Sequence, residues 1–172
     1  MNNYILPKFT VCNRDTFVPI GGCYFLITDE VMDGLQANAD DLDEVSYTVV
    51  INDEEEFEFL RGLFTGYSVT SPVWVAGIDE HSNSTWKSVD DQPLPWISLD
   101  TGSNSANCTN ATGSHCLRMS KEWDKLRAFE CGEGCVGLPD VLREYNPSET
   151  ELPQVCKFKH GDVIHRKLIN FS

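Results

Sequence analysis

The residues that could do chemistry gather around cysteine. The chain has seven, at positions 12, 23, 108, 116, 131, 135 and 156. Two of them bracket CLRMSKEWDKLRAFEC, residues 116–131, with Trp123 and Asp124 near its middle. By period alone this stretch fits a helix: Trp123, Leu126 and Phe129 recur every third residue, Ser120 could cap it, and Glu122 sits where a helix dipole favours an anion. A disulfide between Cys116 and Cys131 would instead close the stretch into a loop with the Trp-Asp pair at its tip. The residues alone leave both readings open, and with them the role of Asp124 as functional acid or surface charge.

Other chemistries find less support. Thiolates from several cysteines could hold zinc, but no Cys-x-x-Cys pair exists, and the spacings, including Cys-Gly-Glu-Gly-Cys at 131–135, build no ribbon or finger. The histidines are His81, His115, His160 and His165. His115 beside Cys116 suggests a Cys-His nucleophile, yet residues adjacent on a strand point to opposite faces. No Ser-His-Asp context or phosphate-binding loop is visible, so no enzyme activity is expected, and His160 and His165 read as isolated surface histidines. Calcium is the one cofactor the acidic residues could take.

Four Asn-x-Ser/Thr sequons begin at Asn83, Asn107, Asn110 and Asn170. Together with the cysteines they predict an oxidising, secreted or extracellular setting, with an ectodomain fragment as one form of it. The start, MNNYILPKF, lacks the basic-then-apolar layout of a secretory leader. The chain is therefore either cytosolic or begins after a leader was removed, and the cysteines favour the second. The formal net charge is −14. Such a field repels phosphate backbones and anionic lipid surfaces, so nucleic acid is not an expected partner. No stretch is long and apolar enough to insert in a membrane.

The elements that must position these residues follow from period and punctuation. With 172 residues and 41% hydrophobic content, one domain with a real core is expected over 1–172. YFLIT (24–28), YTVVI (47–51), VWVAGI (73–78) and TWK (85–87) read as strands, as do 153–158 and 163–169. Met32, Leu35, Ala39 and Leu42 have helical spacing within 29–42, a helix weakened by Gly34. A second helix starts at an Asn52 cap, with Glu55 completing a capping box and Phe57, Leu60, Leu63 and Phe64 forming its apolar stripe before Gly66. The acids at 53–56 suit the helix dipole and do not converge on one ion. Residues 88–113 form a long irregular loop, which is a usual place for function, and 132–151 is a second irregular stretch. Helices near the N-terminus followed by short strands make an α+β plan.

The ordered series of features resembles the C-type lectin-like domain family. Cys12 to Gly22-Cys23-Tyr24-Phe25 is similar to its N-terminal disulfide hairpin, and Val50 to Phe57 to the strand entering its second helix. Trp74-Val75-Ala76-Gly77-Ile78 is a variant of its Trp-Ile-Gly-Leu core strand. Ser88 to Leu94 followed by Trp96 resembles the start of its long loop. Cys116, Trp123-Asp124 and Cys131 resemble the disulfide around its Trp-Asn-Asp element, and Leu152 to Cys156 its closing strand. The resemblance implies two helices packed on short antiparallel sheets, with an N-terminal hairpin (1–23), a long loop (88–115), an insertion (132–151) and a C-terminal extension (157–172). It implies that 116–119 and 128–131 are strands joined by a 121–126 loop. It implies disulfides Cys12–Cys23, Cys116–Cys131 and Cys108–Cys135, with Cys135–Cys156 as the runner-up for the third. Cys156 would be left over, buried or joined to another chain in an oligomer. The family's tie from closing strand to first helix has no counterpart, since no cysteine lies between Cys23 and Cys108.

The family's function would be recognition of a protein or glycan ligand through the long loop, here Asp90, Trp96, Asp100 and Asn104, with Asp124 beside it. Its sugar-binding members hold calcium through a Glu-Pro-Asn or Gln-Pro-Asp triplet, an acid before the cysteine, and Asn-Asp after the Trp. This chain has Gln92-Pro93-Leu94, Ser114-His115 and Asp124-Lys125 at those places. Asp124 is the calcium ligand that survives, with Asp100, Asn104 and Asn107 as further donors. A binding module without the usual calcium site is the expected function; a calcium-dependent lectin with an atypical ligand set around Asp124 is the alternative.

Overall fold

Val73 to Ile78 is a continuous apolar run, and such runs form strands covered on both faces. In the computed structural model it becomes β4, Val73–Asp79, in which every residue except Ile78 is buried. The structure describes residues 10–13, 22–27, 33–39, 46–80, 84–88, 90–100, 111–132 and 139–145. Outside them lie Asn104, Cys108, Cys135, Cys156, the sequon residues Asn83, Asn107, Asn110 and Asn170, and the strands expected at 153–158 and 163–169.

Around β4 the chain forms β1 (Thr10–Asn13), β2 (Gly22–Ile27), α1 (Gly34–Ala37), β3 (Ser46–Thr48), α2 (Glu54–Gly66), β5 (His115–Met119), β6 (Arg127–Glu130) and β7 (Val141–Tyr145). The sheet order is β1-β2-β7-β4-β5-β6, with β3 added on β7. All pairings are antiparallel except the short contact of β4 with β7 at Trp74 and Val141. This is the α+β architecture expected. In the β1–β2 hairpin Cys12 lies directly opposite Cys23.

The stretch 116–131 is not a helix. Cys116 and Cys131 are bonded, with Cα atoms 5.2 Å apart, and flank strand, turn and strand. Ser120 caps a turn and not a helix, its Oγ accepting from the Glu122 N–H at 3.2 Å. The disulfide rules out the Cys116–His115 nucleophile as well.

Three local expectations are corrected. Helix α2 is capped one residue later than predicted: the Asp53 carboxylate accepts from the Glu56 N–H at 2.8 Å, because the Asn52 side chain and N–H both turn to the Glu56 carboxylate. Phe57, Leu60, Leu63 and Phe64 are buried as the period requires, each contributing on the order of 1.5–3 kcal/mol by leaving water. Helix α1 runs Gly34–Ala37 behind an Asp33–Gln36 capping box, shorter than the stretch predicted. Gly34 is no weak point there, since a Cβ would lie 2.6 Å from Cys116 Sγ. TWK forms a bridge at Lys87 to Ile78 and Pro93 and not a strand.

The irregular reading of 132–151 meets the largest difference. Val141–Tyr145 is a strand in the middle of the sheet, paired with β2, β3 and β4. VLREY hid this because Arg143 and Glu144 are both buried. The Arg143 guanidinium is satisfied by the hydroxyls of Ser46 and Thr48 and by the Ser46 carbonyl of β3. A second register device is Gly77, at φ 150°, where β4 shifts against β5 and a Cβ would collide with Leu117.

Candidate ligand-binding face

The β5–β6 turn, Ser120 to Leu126, is held from both sides. The Trp123 N–H bonds the Ser120 carbonyl at 3.1 Å. Residues 98–100 of the long loop run parallel to Leu126: the Leu126 N–H donates to the Ser98 carbonyl at 2.9 Å and the Asp100 N–H to the Leu126 carbonyl at 3.0 Å. Asp100 is thereby brought to the same turn as Asp124.

Cations and aromatic rings alternate beside this turn. The Arg127 guanidinium lies 4.4 Å from the Trp123 ring centre, and Trp123 stacks on Phe129 at 5.8 Å. Arg118 lies 4.8 Å from Phe129 and 5.5 Å from Trp74, whose ring is fully buried. Such contacts contribute about 0.5–2 kcal/mol each, so Trp123 is an anchor of the turn. Burial lowers Arg118 to about 10, which leaves it cationic at neutral pH.

Asp124 and Asp100 each face a guanidinium at the turn. Asp124 lies 3.8 Å from Arg61 of α2, with its side chain 93% exposed. Arg61 also bonds Glu58 at 2.8 Å and the Lys121 carbonyl at 3.1 Å. Asp100 lies 3.4 Å from Arg127 Nε, close enough for ionic attraction though not aligned for a hydrogen bond. Calcium asks for six to eight oxygens around one point. Among the described residues no group of three or more His, Cys, Asp or Glu side chains is placed to hold a metal, and the neighbouring guanidinium groups oppose one at Asp124 and Asp100. The two described carboxylates, Asp124 and Asp100, thus each face a guanidinium, and the other expected donors, Asn104 and Asn107, lie outside the described residues.

Asp90 and Trp96 lie earlier on the long loop. Asp90 belongs to the 88–92 turn, where its carboxylate accepts from the Ser88 hydroxyl at 2.5 Å and the Ser88 N–H reaches the Gln92 carbonyl at 2.8 Å. Asp91 there takes φ 63° and pairs with Lys87 at 3.1 Å. The Trp96 ring lies 5.4 Å from Phe57 and packs against the core. Its neighbour Ile97 is 38% exposed.

Sequence reasoning missed Arg61, Arg127 and Glu130. The first two are found only when α2 and residue 100 reach the turn. Glu130, at the end of β6, pins the far end of the long loop: its carboxylate accepts from Thr112 N–H and hydroxyl, from Gly113 N–H at 3.0 Å and from Gly132 N–H at 3.1 Å. Burial by itself would raise this carboxyl; the hydrogen bonds from Thr112, Gly132 and Gly113 outweigh it and hold the group below the usual range. No local pattern announced it.

No family model matches the chain. Lymphocyte antigen 75 of Mesocricetus auratus is 26% identical over 146 residues, which is 84% of this chain and 8% of that protein. The chain thus spans a small part of this relative's length. Human lithostathine superposes with a TM-score of 0.56 at 16% identity, covering 84% of this chain and 98% of the other. The carbohydrate-recognition domain of the mouse scavenger receptor C-type lectin gives 0.53 at 18% identity, over 81% and 97%. The C-type lectin CEL-I from Cucumaria echinata gives 0.52 at 12%, over 72% and 89%. At these identities the likeness carries the architecture and not the ligand. The protein has the C-type lectin-like fold.

Proposed function

We propose that this C-type lectin-like domain is an extracellular recognition module that binds a protein or glycan through the long loop and the β5–β6 turn, without a calcium-dependent sugar site. The observation that carries this reading is the pairing of Asp124 with Arg61 and of Asp100 with Arg127. A rigid sheet with a loop region fixed at Asp100, Leu126 and Glu130 is the arrangement on which binding loops are usually mounted. The face comprises Asp100, Arg127 and Asp124 at the turn, with Asp90 and Trp96 earlier on the loop; Asn104 belongs to it by position in the sequence.

The same reading includes secretion, glycans on Asn83, Asn107, Asn110 and Asn170, and disulfides Cys12–Cys23 and Cys108–Cys135, with Cys156 open to a second chain. The opposed positions of Cys12 and Cys23 in the hairpin support the first bridge. Calorimetric titration with calcium tests the central claim, together with glycan-array binding in calcium and in chelator. Heat changes at the level of dilution and chelator-insensitive binding are expected. Tight calcium uptake that disappears in Asp124→Ala, together with chelator-sensitive glycan binding, would establish the calcium-dependent lectin instead.

A further inference from the structure

Glu144 of β7 stands between two tyrosines. The register sets it opposite Tyr24 of β2 and opposite Tyr47 of β3. Arg143, the next residue along the strand, points to the other face, where Ser46 and Thr48 hold it. Helix α2 contributes Glu56 to the Glu144 side. Glu56 and Glu144 are 4% and 6% exposed. The fully buried Tyr24 donates its hydroxyl to Glu56 Oε2 at 2.6 Å, and the Tyr47 hydroxyl bonds Glu144. The titratable groups facing Glu144 are therefore Tyr24 from β2, Tyr47 from β3 and Glu56 from α2.

Two carboxyl groups buried beside each other do not both ionise without a large cost. The donors around the two differ in number. Glu56 receives three: the Tyr24 hydroxyl, the Asn52 N–H at 2.8 Å and the Asn52 side-chain amide at 3.0 Å. Glu144 receives the Tyr47 hydroxyl. Burial, and then the charge of Glu56, push the Glu144 carboxyl up to about 8, against the opposing effect of the Tyr47 hydrogen bond.

We propose that Glu144 carries a proton at neutral pH and so leaves intact a latch, the Tyr24–Glu56 hydrogen bond that ties helix α2 to β2, which loosens on the alkaline side when a second buried anion forms in the same cluster. Glu56 belongs to the first turn of α2 and also binds Asn52 before it. The place where repulsion would develop is thus the start of the helix, which makes the latch a control on α2 docking.

The test is a carbon-13 titration of the glutamate side-chain carboxyls in the full chain from pH 4 to 9.5, alongside urea unfolding of wild type, Glu144→Gln and Glu56→Gln. One wild-type carboxyl, assigned through its own side-chain protons to Glu144, should titrate near 8. In Glu56→Gln its midpoint should fall, since the neighbouring anion is gone. The wild-type ratio of folded to unfolded protein should drop by roughly a hundredfold between about pH 6 and 9 relative to Glu144→Gln, by proton linkage. An ordinary carboxylate midpoint for Glu144, an unmoved midpoint in Glu56→Gln, or identical pH slopes for wild type and Glu144→Gln would each overturn the latch. The wild-type titration decides the matter even where a variant does not fold.

Discussion

Glu130 ends β6 and Glu144 is the penultimate residue of β7; both are buried, and the protein holds them in opposite charge states. Glu130 gathers Thr112, Gly113 and Gly132 donors and is held as a carboxylate, its pKa lowered. Glu144 has the Tyr47 hydroxyl and the Glu56 anion for neighbours, and its pKa rises to about 8. Burial is common to the two, so burial does not set the charge; the number of donors and the sign of the nearest charge do. The consequences differ as well. Glu130 ties a loop end to the disulfide region, whereas Glu144 joins a helix to the sheet.

The comparison breaks most severely at Glu130. Glu130→Ala leaves the Thr112, Gly113 and Gly132 N–H groups without their acceptor and should cost about 3 kcal/mol in urea unfolding, with faster amide exchange at Thr112 and Gly113. Glutamine substitutions sharpen the contrast. Glu130→Gln should destabilise by about 1–2 kcal/mol at pH 7, while Glu144→Gln should stabilise by about 1–2 kcal/mol at pH 9, where the wild-type carboxyl is charged. The pH profiles should be of opposite sign. Glu130, with its folded pKa lowered, contributes stability that is present above its ordinary value of 4.5 and lost as pH falls through the folded value. Glu144, with its folded pKa raised, contributes stability that is full below 4.5 and lost as pH rises through about 8. A smaller effect is expected from Thr112→Val, which removes one of the Glu130 donors and should cost about 1 kcal/mol in the same unfolding assay. The smallest belongs to Asp124→Asn: a pair this exposed contributes at most about 0.5 kcal/mol, so the thermal midpoint should stay within a degree or two of wild type.

What could be read beforehand follows the range of the interactions. The strands at 22–27 and 73–79 and the stripe of α2 declare themselves through local pattern, because Tyr24, Leu26, Val73, Val75 and the α2 stripe share one core cluster and Trp74 fills another on the opposite face of its strand. The order of cysteines and tryptophans announced the fold through resemblance. The strand at Val141–Tyr145 did not, since its polar side chains are hydrogen-bonded by Ser46, Thr48 and Tyr47, almost a hundred residues earlier in the chain. The same holds at the turn. Asp124 was visible as an acid, but its partner Arg61 lies on a helix that no sequence window shares with it. Trp96 was legible as a residue of the long loop, and its packing on Phe57 was not.

Gly34 rests on the Cys116 sulfur, the Asn38 amide approaches the same atom at 3.8 Å, and both cysteines are wholly buried. Both cysteines are closed to solvent with this single helical turn packed on them. The pair is therefore expected to oxidise before α1 docks. In the finished protein, reduction must wait for α1 to swing away, so its rate should level off as reductant is raised and report the opening frequency of one short helix. The cross-link is guarded by time as much as by free energy.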